Sequence, residues 1–221
     1  MAKTLSIPFV PSISGNIAPQ GLLSTLEKEG ARFFVSEVNW PDSFPYCPIC
    51  AGEAAYGKEG IAFHFHVRGL DLRVVNLEDN LHQWEDSCCE VFLLGKDGKK
   101  YFNFETNAAG RVLSAWGEDR HHRTARDAEG MKKIVRYSSL GEVTEAVTEN
   151  DAVFVWDIAI FIPFELLGFG KGEVPASLKG NLYKCADMSA HPHYVSWSPI
   201  GTPRPDFHCP EYFGTFILEN E

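Results

Sequence analysis

The stretch WEDSCCEVFLLGKDGKKYFNFETNAAG, residues 84–110, decides the fold. Cys89 to Leu94 is an apolar run rich in strand formers, and Gly95-Lys96-Asp97-Gly98 supplies turn chemistry with glycines free to take positive φ. Tyr101 to Thr106 then alternates. Phe102, Phe104 and Thr106 point one way and Tyr101, Asn103 and Glu105 the other, the period of a half-buried strand. Asn107-Ala108-Ala109-Gly110 turns the chain again. The reading is a hairpin with one core face and one polar face. Trp84 stands at its mouth among His82, Gln83, Glu85 and Asp86. A tryptophan in that company offers a flat apolar face and one N–H donor. That suits stacking on the C–H face of a sugar ring while nearby carboxylates and amides take the hydroxyls.

Outward from the hairpin, Ile61 to Val67 alternates in the same way, with His64 and His66 on the outer side. Val153 to Ile162 is apolar on both faces and reads as a central strand. Further strands are expected over Ala31–Val38, Leu72–Asn76, Lys133–Tyr137, Asn181–Ala186, Tyr194–Trp197 and Phe213–Leu218. Pro19 to Glu29 reads as a short helix, with Leu22, Leu23 and Leu26 on one side and Gly30 as its stop. Many short strands with regular turn signals predict an all-β fold, an antiparallel β-sandwich with one or two short helices. The 221 residues suit one domain, residues 1–30 a lead-in with the short helix and residues 31–219 the sandwich.

The composition is that of an ordinary globular chain, 44% hydrophobic and 23% charged, and the net charge of −10 argues against nucleic acid or an anionic membrane as partner. No apolar run approaches the ~20 residues of a membrane span. The N-terminus MAKTLSIPFVPSISG lacks the apolar core of a signal peptide. The chain as it stands is expected in the cytoplasm, or beyond it if its N-terminus was processed. Six cysteines, with Cys88 and Cys89 adjacent and on opposite sides of a strand, read as free thiols in a reducing compartment.

Other constellations are weaker. Cys47-Pro48-Ile49-Cys50 is half a zinc site that His64, His66 or Cys209 would have to complete. His64 with His66, and His191 with His193, could each face one metal ion. The Asp119-Arg120-His121-His122-Arg123 run reads as a solvated loop or the edge of a ligand site. Glu85, Asp86, Glu90 and Glu105 place carboxylates near the Trp84 region, and Glu90 could approach Glu105 across the hairpin. Two such acids are what a glycoside hydrolase needs.

The motif Trp84-Glu85-Asp86-Ser87-x-x-Glu90-Val91-Phe92, followed by Tyr101-Phe102-Asn103-Phe104-Glu105-x-Asn107-x-x-Gly110, resembles family 9 carbohydrate-binding modules. So do Ile162-Pro163-Phe164-Glu165 and Asn181-Leu182-Tyr183-Lys184-Cys185. The ending, His193-Tyr194-Val195-Ser196-Trp197-Ser198-Pro199 with Pro205-Asp206-Phe207-His208 and Pro210-Glu211-Tyr212-Phe213-Gly214, looks like that of the bacterial family 9-like group. The resemblance covers roughly residues 35–219. It implies a DOMON-like sandwich that binds the terminal sugar of a saccharide without chemistry, the sugar held between two tryptophans. Trp84 matches the first and Trp197 is similar in position to the second. Glu90 matches the carboxylate of the family site, Arg111 is the candidate for its arginine, and Tyr194 lies where its asparagine would be sought. The implied ligand is a mono- or oligosaccharide, and no catalytic residue is expected. The resemblance allows structural calcium without assigning its ligands; no other cofactor is expected. Two rival readings remain open: a glycan-active enzyme working through Glu90 and Glu105, and a haem-binding DOMON-like electron carrier ligated by Met188 with His191 or His193.

Overall fold

The hairpin expected from residues 84–110 forms. Strand Cys88–Leu94 pairs with Tyr101–Asn107, Glu90 lying directly opposite Glu105, in a computed structural model that describes residues 1–220. Gly98, at φ 67°, and Gly110, at φ 77°, take the left-handed conformation at the two turns. The Asp97 side chain accepts from the Lys99 and Lys100 N–H groups and fixes the first of them.

This hairpin is the middle of the larger of two facing sheets. Its order runs Thr4–Ile7, Gly214–Leu218, Ser177–Cys185, Cys88–Leu94, Tyr101–Asn107, Val112–Gly117, Thr124–Ala125. Tyr194–Ser196 pairs with the Cys185 end and with Glu37–Val38. The opposing sheet runs Val135–Ser138, Phe154–Pro163, Gly60–Gly69, Ile49–Tyr56, Ala31–Phe34. Phe63, Phe65, Val91, Phe104, Trp156 and Leu182 meet in the core between them. Ladders are antiparallel except that Thr4–Ile7 runs parallel to Gly214–Leu218. The protein is a β-sandwich. A third layer is the helix Pro19–Glu29, which lays Leu22, Leu23 and Leu26 on Ala62, Ala159 and Phe161, on the outer side of the smaller sheet. Proline opens it, and the Gly30 N–H closes it on the Leu26 carbonyl.

Three details differ from the sequence reading. The lead-in is not a mere extension, because Thr4–Ile7 is an edge strand. The run 31–38 is two strands in two sheets: Val35 makes its last bond to Cys50 O, and Glu37–Val38 crosses to the other sheet. Ile49–Tyr56 was not expected as a strand, since alanine and glycine are poor strand formers. Here their smallness is required. A Cβ on Gly52 would lie 1.8 Å from the His64 carbonyl oxygen.

Candidate functional site

Register fixes which side chains share the outer face of the larger sheet. Cys185, Cys88 and Asn107 form one row, Tyr183, Glu90, Glu105 and Leu113 the next, and Asn181, Phe92, Asn103 and Ala115 a third. A β-sandwich usually turns such a face to water. Here loops cover it. Phe207 stacks flat on Tyr183 at 4.1 Å, the Tyr183 hydroxyl donates to the Phe207 carbonyl, and His208 Nδ1 meets the Tyr101 hydroxyl at 2.9 Å. The Trp40 indole N–H donates to Thr202 O at 2.8 Å, tying the 40–46 loop to the C-terminal one. Between these covers a cavity of about 640 Å³ remains open above Glu90 and Glu105.

Trp84 stands on one wall, half-buried in the one-turn helix Gln83–Glu85. Its position is fixed from below. Fully buried Asp86 accepts from Arg73, from the Val75 and Asn76 N–H groups and from Asn107. The Trp84 and Glu85 carbonyls accept the N–H groups of Asp187 and Met188. His82 stacks on the indole at 4.5 Å. Tyr194 and Phe44, in edge contact at 4.7 Å, also line the cavity, and burial and then the nearby Asp187 carboxylate push the Tyr194 hydroxyl's pKa up.

The floor is acidic. Glu105 accepts from Asn103 through Oε1 at 2.8 Å, while its buried Oε2 has no partner among the described residues. Glu90 meets the Cys185 thiol at 3.0 Å. Burial pushes three of the cavity carboxyls up: Glu90 well above the usual range, Glu105 to about 7 despite the Asn103 bond and the nearby Arg123, and Asp187 to about 6. Arg123 closes the 118–123 loop onto the sheet, donating to the Gly117, Tyr101 and Ala115 carbonyls and to Asn103, with its guanidinium 4.0 Å over the Tyr101 ring. Exposed Arg120 pairs with Asp206 at 3.4 Å on the rim.

Of the residues singled out from sequence, Trp84, Glu90 and Tyr194 line this cavity. Trp197 and Arg111 do not. Trp197 is 4% exposed and stacks on Phe216 at 4.9 Å within the core between the sheets. Its direction follows from register: Ser196 pairs with Tyr183, whose side chain faces outward, so Trp197 turns inward. Arg111 immediately precedes strand Val112–Gly117, opposite Asn107 after the Asn107–Gly110 turn; its N–H is held by Asn107 Oδ1 and its side chain is not among those lining the cavity. Sequence reading passed over Asp187 and the structural role of Arg123. The run 119–123 was flagged as a site edge, but nothing local singles out Asp187.

His193, one of the candidate haem ligands, is already engaged. His193 Nδ1 faces the His191 carbonyl and must carry the proton, so Nε2 accepts from Lys184 Nζ at 2.8 Å; both ring nitrogens are engaged. Burial, then the Lys184 charge, holds this imidazole neutral. Met188 is exposed. The CPIC half-site also dissolves. Cys50 points between the sheets, opposite Val67, whereas His64 and His66 lie on the other face of their strand, and Cys47 is exposed. Calcium needs grouped oxygen donors. Asp86 is saturated as described, Asp79 holds Arg136 and the Val112 N–H, and no three acids converge among the described residues.

The family model for carbohydrate-binding family 9 matches residues 22–218. The chain belongs to that family. A proposed carbohydrate-binding protein from Bacteroides uniformis ATCC 8492 is 32% identical, with a TM-score of 0.90, over 99% of this chain and 100% of its own. Two family 9 module structures from Caldicellulosiruptor kristjanssonii share the fold at 10% and 11% identity and TM-scores of 0.60 and 0.58. They cover 99% of this chain and 95% and 97% of theirs; one is a complex with cellotriose and the other with glucose. No curated protein matches this chain.

Proposed function

We propose that the covered outer face of the larger sheet binds the end of a saccharide chain and performs no chemistry on it. The observation that carries this reading is an indole wall, Trp84, lining the same cavity as a buried acid, Glu105, that keeps one oxygen without a hydrogen-bond partner among the described residues. With His82 on one face of the indole, the other is the face for a sugar ring, and Glu105 Oε2 and Glu90 accept hydroxyl donors. Tyr194 and Phe44, rather than Trp197, serve as the second apolar wall. The cavity falls within the ~300–1,000 Å³ range of small-ligand sites. Family membership and the saccharide complexes of the Caldicellulosiruptor modules support the ligand class.

Isothermal titration calorimetry with glucose, cellobiose, cellotriose and their borohydride-reduced alditols tests this. Saturable binding that is lost on reducing the terminal ring and weakened in Trp84→Ala is expected. Unchanged affinity in the variant would sink the stacking role.

The Glu90–Glu105 pair is the one feature favouring hydrolysis. The two acids sit side by side on adjacent strands of one sheet face. A glycosidase flanks the scissile bond with its acids, from either side. Saccharide turnover by the wild type, abolished in Glu105→Gln, would decide for the enzyme.

A further inference from the structure

We propose that Cys88, Cys185 and Glu90 form a zinc site of two thiolates and one carboxylate at the cavity floor, with the fourth position open to the cavity. Register builds it. Cys88 lies directly opposite Cys185 on the neighbouring strand, and Glu90, two residues on, shares the same face. The two Sγ atoms and a Glu90 carboxylate oxygen all lie within 4.8 Å of one another, and Cys185 Sγ is already 3.0 Å from Glu90 Oε1. A tetrahedral zinc ion with such ligands needs separations of about 3.5–3.8 Å.

The donor set decides the metal. Two thiols select zinc or another thiophilic ion over calcium or magnesium. A buried cysteine is most often a small hydrophobe, and Cys89, which faces the core, fits that description. Glu90 is what separates the group from it. It is 2% exposed, and its hydrogen-bond partner among the described residues is a thiol, not a cation. A carboxyl buried without a cation either stays protonated or coordinates a metal, and two thiols on the same face make the second available here. Binding would release both thiol protons to solvent, with that of Glu90 where it carries one, leaving the carboxylate and two thiolates on Zn²⁺. Cys185 and Glu90 line the cavity and so give the ion an entry path.

The site does not depend on the saccharide reading, and its test uses no sugar. The full chain, reduced and stripped with a chelator, is titrated with Co²⁺ and then Zn²⁺. The expected result is a thiolate-to-cobalt charge-transfer band in the near ultraviolet with intense visible bands of a tetrahedral ion, bleached by one equivalent of Zn²⁺. Cys88→Ser and Cys185→Ser should each lower zinc affinity at least tenfold and halve the charge-transfer band, while Cys47→Ser changes neither. Equal zinc affinity in both variants and the wild type would overturn the proposal. Should the variants fail to fold, zinc X-ray absorption on the wild type decides. Two sulfur scatterers at about 2.3 Å support the site, and a shell of nitrogen and oxygen alone overturns it.

Discussion

Both sheets carry acids and polar side chains on their outer faces, and the two faces use them in opposite ways. On the smaller sheet, His64 lies between Glu53, 2.8 Å from Nδ1, and Asp157, 2.9 Å from Nε2, and His66 also reaches Asp157 at 2.8 Å. Every member of that cluster is paired with another. On the larger sheet, Glu105 keeps an oxygen unpaired, and Glu90 has a thiol for company. A polar cluster that satisfies itself holds a fold together. One that is left unsatisfied under a cavity is held in readiness for something else.

The largest effect that would test this contrast is on stability. His64→Ala strips a hydrogen-bond partner from two acids at once, leaving Asp157 only His66, and a loss of about 2–3 kcal/mol is expected in urea denaturation at pH 6. Saccharide affinity should not move, because His64 lies on the other sheet's outer face. A fully stable His64→Ala protein would mean the cluster is not structural.

Next comes Trp84→Ala. An aromatic wall in a binding site commonly carries about 2 kcal/mol, so affinity should fall roughly thirtyfold by calorimetry. The turn below it is pinned by Asp86, so the melting temperature should change little. Trp197→Ala should do the reverse, unfolding the core with little direct effect on the site.

Those two tryptophans also mark how far sequence reaches. Alternation in 61–67 and 101–106, the apolar run at 153–162 and the Pro19–Glu29 helix were all legible, because periodicity follows burial directly. Trp84 was legible as a site residue because its neighbours were polar. Trp197, flanked by two serines, looked the same. Which way it turned depended on the register of its strand against Ser177–Cys185 on one side and distant Glu37–Val38 on the other, and local chemistry does not carry that. Ser196 and Ser198 prove to be buried too, Ser196 donating to the Ser198 carbonyl and the Ser198 N–H to Asn181. Asp187 and the unpaired oxygen of Glu105 were illegible for the same reason, since both depend on loops folding over the sheet.

A smaller change separates the faces again. Glu105→Gln removes an acceptor that no protein group uses. Stability near pH 8 should be unchanged or slightly higher, since burying the charge is unfavourable. Affinity should fall several-fold, about 1 kcal/mol, as a neutral amide replaces a charge-assisted bond. A loss of stability as large as that of His64→Ala would show that Glu105 is structural after all.

The subtlest test is pH, because the two faces should respond with opposite signs. Burial works against the His64 charge, but its bonds to Asp157 and Glu53 outweigh that and raise its pKa above 6.5. Its stabilisation is therefore complete below 6.5 and is lost as pH rises through the raised value. Asp157, pushed up by burial but brought below 3.8 by its bonds to His64 and His66, adds stability that is lost only when acid protonates it. Glu105 runs the other way for binding. Its carboxyl, held at about 7 by burial, accepts hydroxyl donors best when ionised, so saccharide affinity should climb as pH passes from 6 to 8. Stability should fall modestly over that interval while affinity rises. Glu105→Gln should flatten the affinity profile and remove only that part of the stability loss that comes from ionising the buried Glu105 carboxyl, while His64→Ala flattens the rest of the stability profile and leaves the affinity profile in place. If His64→Ala flattened the affinity profile as well, the two faces would be coupled through the core, and the division between a self-satisfied face and a ligand-ready one would fail.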